Sequence, residues 1–546
     1  MAAAPFREPT HRLFYLMVTF AGILLTCLAA WLGIARETPK FSKRVLTPLS
    51  VLTDENFVAG TVVGPQGALA NATVRWQTHD AAVLTDRNGR FRLPRVTAAN
   101  LIAASAPGHY VSTCLASGTN PTLFLEPLPT HDDITYSWID PSPHSFSRHR
   151  CSLCHERIYS EWLLSAHARS GSNPRVLSLI EGTADDGVSQ PGPSLRRDHP
   201  HGVAVCNSCH APTLETNDPH WNELAARAPS PLNGVHCDFC HKTQSVDLSN
   251  IGLTHGRYAM RLLRPNGERQ LVFGPHDDAN RGDSAATPLY RSSHYCASCH
   301  EGTVFGVQAY TTFSEWEASP AAGRGEQCQT CHMPAAADVT NMARGHGGVT
   351  RASGSLSDHS LRGPASRRYA DSLAVSLATS RRDGFLHVSV FFDASLVGHC
   401  VPTGFIDKHL LLIVDAFDMS GHSVSQAAGP RIPDFVSESA AGRAGEFFGR
   451  VLTDSQGDRP AAFWAAVVEH TDTRIRPDTP RTVTLSFDAS AKRLRIQVLH
   501  RRFWEKTRTV KQWADDTQTL IDCMCGADEP PTHLLKPRTG GHSPIP

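Results

Sequence analysis

Between residues 151 and 332 the chain repeats Cys-x-x-Cys-His five times: CSLCH from Cys151, CNSCH from Cys206, CDFCH from Cys237, CASCH from Cys296 and CQTCH from Cys328. No other feature restricts the fold as strongly. Two thiols at this spacing, with an imidazole directly after the second, are the attachment site of a c-type haem. The thiols form thioethers to the porphyrin vinyl groups, and the histidine is placed to bind the iron. Zinc ribbons also use Cys-x-x-Cys, but they pair the units and need no histidine after each one. The reading is five covalently bound haem c groups, attached through Cys151, Cys154, Cys206, Cys209, Cys237, Cys240, Cys296, Cys299, Cys328 and Cys331. The proximal ligands are then His155, His210, His241, His300 and His332.

A chain of 546 residues holds several domains. Its apolar fraction of 40% is slightly low for an ordinary globular core, a deficit that large apolar macrocycles offset. Five cysteines remain outside the motifs. Cys27 lies in an apolar stretch and reads as a packing residue, while Cys114, Cys400, Cys523 and Cys525 are available for disulfides in an oxidising compartment, with no connectivity implied. Lysine plus arginine balance aspartate plus glutamate at 52 each, so no basic surplus points to nucleic acid.

Residues 13–35 are uncharged and mostly apolar, long enough to span a bilayer. The expectation is a transmembrane anchor after a short cytoplasmic N-terminus, residues 1–12. A cleaved signal peptide is the alternative, with Gly33 and Ala35 offering a small-residue site. Covalent haem attachment, by what is general to c-type cytochromes, puts the body in the periplasm. The expected location is therefore the inner (cytoplasmic) membrane, single-pass.

Residues 55–128 read as short alternating strands, with turns at 64–67 and 86–89 where tight corners are needed. Residues 130–365 form the haem region, rich in Gly, Pro, Ser and His, for which the expectation is a haem-packed, mostly α-helical or irregular domain. Alternation returns in residues 368–510, through SLAVSLATS, FLHVSVFFD and RLRIQVLHRRF, and predicts a second β-sandwich. Residues 511–546 read as a tail with little regular structure. Within the haem region, Tyr159-Ser-Glu-Trp-x-x-Ser165 recurs as Phe313-Ser-Glu-Trp-x-x-Ser319, and motif starts are 55, 31, 59 and 32 residues apart. A duplicated haem unit and two similar amphipathic helices both account for this.

The sixth iron ligands are a separate problem. The chain has 29 histidines but only seven methionines, of which Met260, Met333, Met342, Met419 and Met524 lie beyond the apolar stretch. Met333 directly follows a proximal histidine, a poor position for reaching the opposite face of that haem. Bis-histidine ligation is favoured, and it avoids the rise in potential that methionine gives.

The segments CSLCHERIYSEWLLSAHA, GVHCDFCHKT, GRYAMRLLRPNG with VFGPHDD, and CQTCHMP resemble the multihaem cytochrome superfamily containing the tetrahaem cytochrome c of ammonia oxidisers, hydroxylamine oxidoreductase and pentahaem nitrite reductase. The resemblance spans residues 151–334. It implies His167, after the Trp-x-x-Ser helix, and His359, beyond CHMP, as distal ligands, followed by His276 and by His399 in VGHCVPTG. His255, His199 and His201 rank behind these, and His236 and His294 sit near haem edges by attachment. Upstream, VAGTVVGPQGALANATV, TDRNGRF and APGHYVS resemble the carboxypeptidase regulatory-like β-sandwich, a module without catalytic residues that acts as a spacer or docking unit.

Pentahaem nitrite reductase marks its active haem with Cys-x-x-Cys-Lys, which none of the five motifs has. Hydroxylamine oxidoreductase typically carries eight haems. The first reading is therefore a membrane-anchored electron carrier exchanging electrons with other cytochromes or a quinol-oxidising complex. Two alternatives stay open: an oxidoreductase of nitrogen or sulfur compounds with one open-coordinate haem, and a structural or docking subunit of a multihaem conduit.

Overall fold

Two β-sandwiches enclose, along the chain, a central region of short helices and small strand pairs. The computed structural model describes residues 56–535, except 98, 117–119, 184–191, 203, 215–229, 268, 280, 362–372 and 516. The chain divides into two units, Met1–Val58 and Ala59–Pro546, and everything below belongs to the second apart from the first two residues of β1.

The N-terminal sandwich comprises β1 (Phe57–Gly64), β2 (Gly67–Ala68), β3 (Thr73–Trp76), β4 (Ala82–Leu84), β5 (Arg90–Pro94), β6 (Leu101–Ser105), β7 (Ser112–Leu115) and β8 (Thr122–Phe124). One sheet runs β2-β1-β5 with β8 parallel to β1, and the other runs β4-β3-β6-β7. Strict alternation in β5, whose Phe91 and Leu93 point inward, sets its register. The turn into β5 is an Asx turn: Asp86 Oδ1 accepts from the N–H groups of Asn88 and Arg90. Gly89 there has φ +71°, and a Cβ would lie 2.4 Å from the Val62 carbonyl, so the turn admits only glycine.

The central region carries α1 (Glu156–Leu163), α2 (Pro174–Glu181), α3 (Leu195–Asp198), α4 (Ala204–His210), α5 (Cys237–Cys240), α6 (His294–His300), α7 (Thr312–Glu317), α8 (Pro320–Gly323) and α9 (Cys328–His332). Between them lie the pairs β9 (Thr243–Val246) with β10 (Met260–Leu262), β11 (Val272–Gly274) with β12 (Ser284–Ala286), and β13 (Glu301–Val304) with β14 (Val307–Thr311). This corrects the expected mostly helical haem domain. The longest helices described here have eight residues, too short to persist without tertiary support, and no helix-packed bundle forms.

The C-terminal sandwich contains β15 (Ala374–Arg382), β16 (Phe385–Asp393), β17 (His409–Phe417), β18 (Ser423–Val424), β19 (Gln426–Ala428), β20 (Gly445–Phe448), β21 (Arg450–Asp454), β22 (Val467–Asp472), β23 (Arg481–Asp488), β24 (Arg493–Arg501), β25 (Gln518–Gly526) and β26 (Thr532–Leu535). Its sheets run β19-β23-β16-β15-β26 and β18-β17-β24-β25, with β20 on β17. Strand β17 is buried on both faces: Leu410, Leu412 and Val414 face the inter-sheet core, and Leu411 and Ile413 pack with Ile432, Val436 and Trp504. The expected irregular tail is corrected here, because β25 and β26 complete the two sheets. A helix, α10 (Glu505–Val510), leads into them.

Among the described residues no helix is long and apolar enough to cross a membrane. The described residues thus give no support to the expected single-pass anchor or to the inner-membrane location built on it; the stretch 13–35 on which both rest lies outside them. Nor is any described cysteine bridged, so Cys114, Cys400, Cys523 and Cys525 are free thiols.

The sandwiches bracket the site directly. Tyr110 and Leu128 pack with Leu263, Leu271, Phe273 and Ala285, and Thr78 N–H donates to Asp278, which also pairs with Arg351. At the other end, buried Lys511 donates to the Ser178 carbonyl of α2, and Ile406, Phe463 and Trp464 cluster with Leu195, Val307 and Ala309.

Candidate functional site

Each attachment motif falls on a short helix or helical turn, which brings its two cysteines to one side and its histidine to the end. Motifs 2 and 4 are α4 and α6, motif 5 is α9, motif 3 is α5, and motif 1 is the 3-10 turn Cys151–Leu153. Non-consecutive motifs come together. The thiols of Cys151 and Cys237, of Cys209 and Cys299, and of Cys296 and Cys328 are within hydrogen-bonding reach of each other. Motif 1 therefore abuts motif 3, and motif 4 abuts both motif 2 and motif 5. Cys240 of motif 3 also lies in electrostatic range of Cys299 in motif 4, so the five attachment sites form one connected set.

The histidines are arranged for iron. Nδ1 of His155 faces the Met342 carbonyl at 2.9 Å, that of His210 the Ser170 carbonyl at 3.3 Å, and that of His241 the Phe273 carbonyl at 2.6 Å. A carbonyl only accepts, so Nδ1 donates and Nε2 keeps its lone pair for a metal. His359 and His399 show the same arrangement, to the carbonyls of Ser357 and Cys400. The pattern alone is not diagnostic: His409 shares it while stacking on Trp504 at 4.3 Å.

Two pairings supply the discriminating geometry. The rings of His167 and His300 have centroids 6.1 Å apart, and those of His332 and His399 have centroids 6.3 Å apart. An imidazole nitrogen lies about 1.1 Å from its ring centroid, and a metal–imidazole bond is about 2.0 Å, so two histidines on opposite sides of one metal would have centroids about 6.2 Å apart. Both separations match that spacing, with the ring planes at 67° in the first pair and 23° in the second. Burial holds His167 down to about 4 and His300 down to about 3, and it lowers His399 as well, so all three are neutral at neutral pH, the form a metal binds. His155, His241 and His359 form a second group within electrostatic range, with His241 brought down to about 4 by burial.

The other candidates are placed differently. His276 neighbours Arg351, Asp278, Arg291 and Arg75. His199 Nε2 donates to the Trp464 carbonyl, and its ring packs on Phe305 at 4.6 Å. His255 keeps a buried Nδ1 without a hydrogen bond, and His201 is exposed. His236 is fully buried and caps α5 through Nδ1, beside Trp138. His294 bonds Ser292 and packs on Phe313.

Sequence reasoning missed the polar support beneath motif 3. Lys242 and Asp238, 1% and 5% exposed, form an ion pair at 2.6 Å, and Asp238 also accepts from the Tyr136 hydroxyl and the Ile139 N–H. Tyr290 and Tyr295 both donate to the Cys240 carbonyl, and the Tyr290 ring lies parallel to that of His241 at 5.4 Å. The only sequence signal was lysine and aspartate at i, i+4 around the motif, which reads equally well as a surface pair.

Residues 150–242 match the model of the cytochrome c554 and c-prime family. Among solved structures, a penta-heme cytochrome c552 from Thermochromatium tepidum superposes with a TM-score of 0.50 at 22% identity, covering 69% of this chain and 97% of that one. No curated protein matches the chain. With the motifs, these likenesses support a multihaem c-type cytochrome carrying covalently bound haem c and acting in electron transfer.

Proposed function

We propose that the chain binds five haem c groups and serves as an electron carrier whose irons are mainly bis-histidine ligated. One observation carries the reading: the two histidine pairs, His167 with His300 and His332 with His399, are spaced for an axial iron each. Both irons would then be closed to substrate, as a carrier requires. His359 is assigned to the group of motifs 1 and 3, and His276 remains a candidate for a further haem. When bound, the haems supply the one-electron chemistry; the protein's residues fix their ligation, spacing and surroundings. Contact of motif 1 with motif 3, and of motif 4 with motifs 2 and 5, supports hopping across the set.

The partners in this reading are other cytochromes or a quinol-oxidising complex. The N-terminal sandwich is read as a carboxypeptidase regulatory-like module acting as spacer or docking unit. Electron paramagnetic resonance of the oxidised protein, with haem quantified in parallel, tests the function. Five low-spin haems that ignore nitrite, hydroxylamine and cyanide are expected. A native high-spin haem that responds to any of them would move the protein to the oxidoreductases.

A further inference from the structure

The repeated Ser-Glu-Trp-x-x-Ser segments make matching hydrogen bonds at the glutamate, the tryptophan and the closing serine. In the first copy, Glu161 Oε2 accepts the backbone N–H of His359 at 2.9 Å. In the second, Glu315 Oε2 accepts the backbone N–H of Cys400, the neighbour of His399, at 3.0 Å, and the Thr403 hydroxyl at 2.7 Å. Trp162 Nε1 donates to the carbonyl of Val235, two residues before Cys237 of motif 3; Trp316 Nε1 donates to that of Glu326, two residues before Cys328 of motif 5. The closing serines, Ser165 and Ser319, each accept from the N–H three residues on. Two similar amphipathic helices would share a buried face but not three equivalent long-range and local bonds, so the duplicated-unit reading is the one these contacts favour.

We propose that Glu161 and Glu315 are positioning residues that hold the loops presenting His359 and His399 to their irons, while Trp162 and Trp316 hold the attachment motif facing the same loop. Each helix thus spans one haem site, gripping the attachment segment with its tryptophan and the distal-ligand loop with its glutamate. The inference rests on the assignment of His359 and His399 as iron ligands. Glu315 is the more enclosed of the two, 7% exposed, and is fixed in turn by Arg474 and the Thr311 hydroxyl; Glu161 is fixed by Arg157.

The test compares the holoprotein variants Glu315→Ala, Glu315→Gln, Glu161→Ala and His399→Ala by haem content, spin state and the rate of carbon monoxide binding after reduction. His399→Ala reports on the ligand assignment alone: a gain of one carbon-monoxide-reactive haem supports it, and no gain removes the basis of the proposal. Given that gain, Glu315→Ala is expected to keep all its haem but bind carbon monoxide about tenfold faster, the effect of losing one hydrogen bond to a charged group on how often the ligand is off. Glu315→Gln, which keeps an acceptor oxygen, is expected to fall close to the wild type. Glu161 is more exposed, and its partner Arg157 retains Asp338, so Glu161→Ala gives the same readout on the His359 haem if Glu315→Ala does not fold. Glutamate variants with wild-type rates beside an opened His399→Ala haem would overturn the proposal.

Discussion

Replacing His399 by alanine isolates one iron. The His332 and His399 ring centroids are 6.3 Å apart; an iron held midway between the two rings would lie about 2.0 Å from each coordinating nitrogen. Alanine ends at Cβ, about 5.5 Å from that metal by the same construction, a gap that admits a diatomic ligand. The other haems are not expected to respond: the proposed ligation puts His167 on the motif 4 haem and His359 with the group of motifs 1 and 3. The expected result is unchanged total haem, conversion of about one fifth of it from low to high spin, and a gain of about one carbon monoxide per reduced chain. Electron paramagnetic resonance and a carbon monoxide titration read both quantities. His167→Ala opens the motif 4 haem independently, so the double variant gains about two, the additivity expected of separate sites. An unchanged carbon monoxide stoichiometry in His399→Ala would refute the axial assignment, because a six-coordinate iron that lost its ligand cannot remain closed without a replacement.

Other consequences follow from the same contacts. Cys237→Ala is expected to lower covalent haem by about one fifth, measured by intact mass. Asp238→Ala strands Lys242, 1% exposed, beneath motif 3, at a cost of about 3–5 kcal/mol in chemical denaturation; Asp238→Asn, which keeps an acceptor for Tyr136 or Ile139, costs less. In the C-terminal sandwich, burial holds the His409 imidazole down to about 3 against an ordinary 6.5. The folded state therefore binds fewer protons than the unfolded one between those values, and stability falls as the pH drops through that window, by about 2 kcal/mol from pH 6.5 to about 5. His409→Phe, matched in shape for the Trp504 stack, is expected to flatten that slope; an equal slope in the variant would show that another group carries it.

What could be read from the chain was whatever is encoded by neighbours. The strands β16, β23 and β24 were legible because their alternation is uninterrupted, and each hides one face in the inter-sheet core. Strand β25 was not: its QTLIDCMCG reads as weak alternation beside proline and glycine, and it becomes a strand because β24 offers it a register of eight residue pairs. The helical haem domain was over-read for the opposite reason. Each motif does adopt helix locally, but glycine, proline and β pairs end it within two turns, and haem ligation, not helix packing, was always to be the organising contact.

The haem site divides along the same line. An attachment motif holds its chemistry in five consecutive residues, so all five could be found by inspection. A distal ligand is chosen by the fold. His399 lies on the loop between β16 and β17, 67 residues beyond His332, and nothing in its immediate sequence distinguishes it chemically from His276 or His387. The repeat gave the one indirect clue, because a glutamate and a tryptophan recurring on two helices need partners, and those partners are backbone groups at His359 and Cys400 and just ahead of two attachment motifs. On the proposed ligation the C-terminal sandwich is more than an appended module: the loop that Glu315 holds would complete the coordination of the motif 5 haem, so unfolding the sandwich would change that iron's spin state.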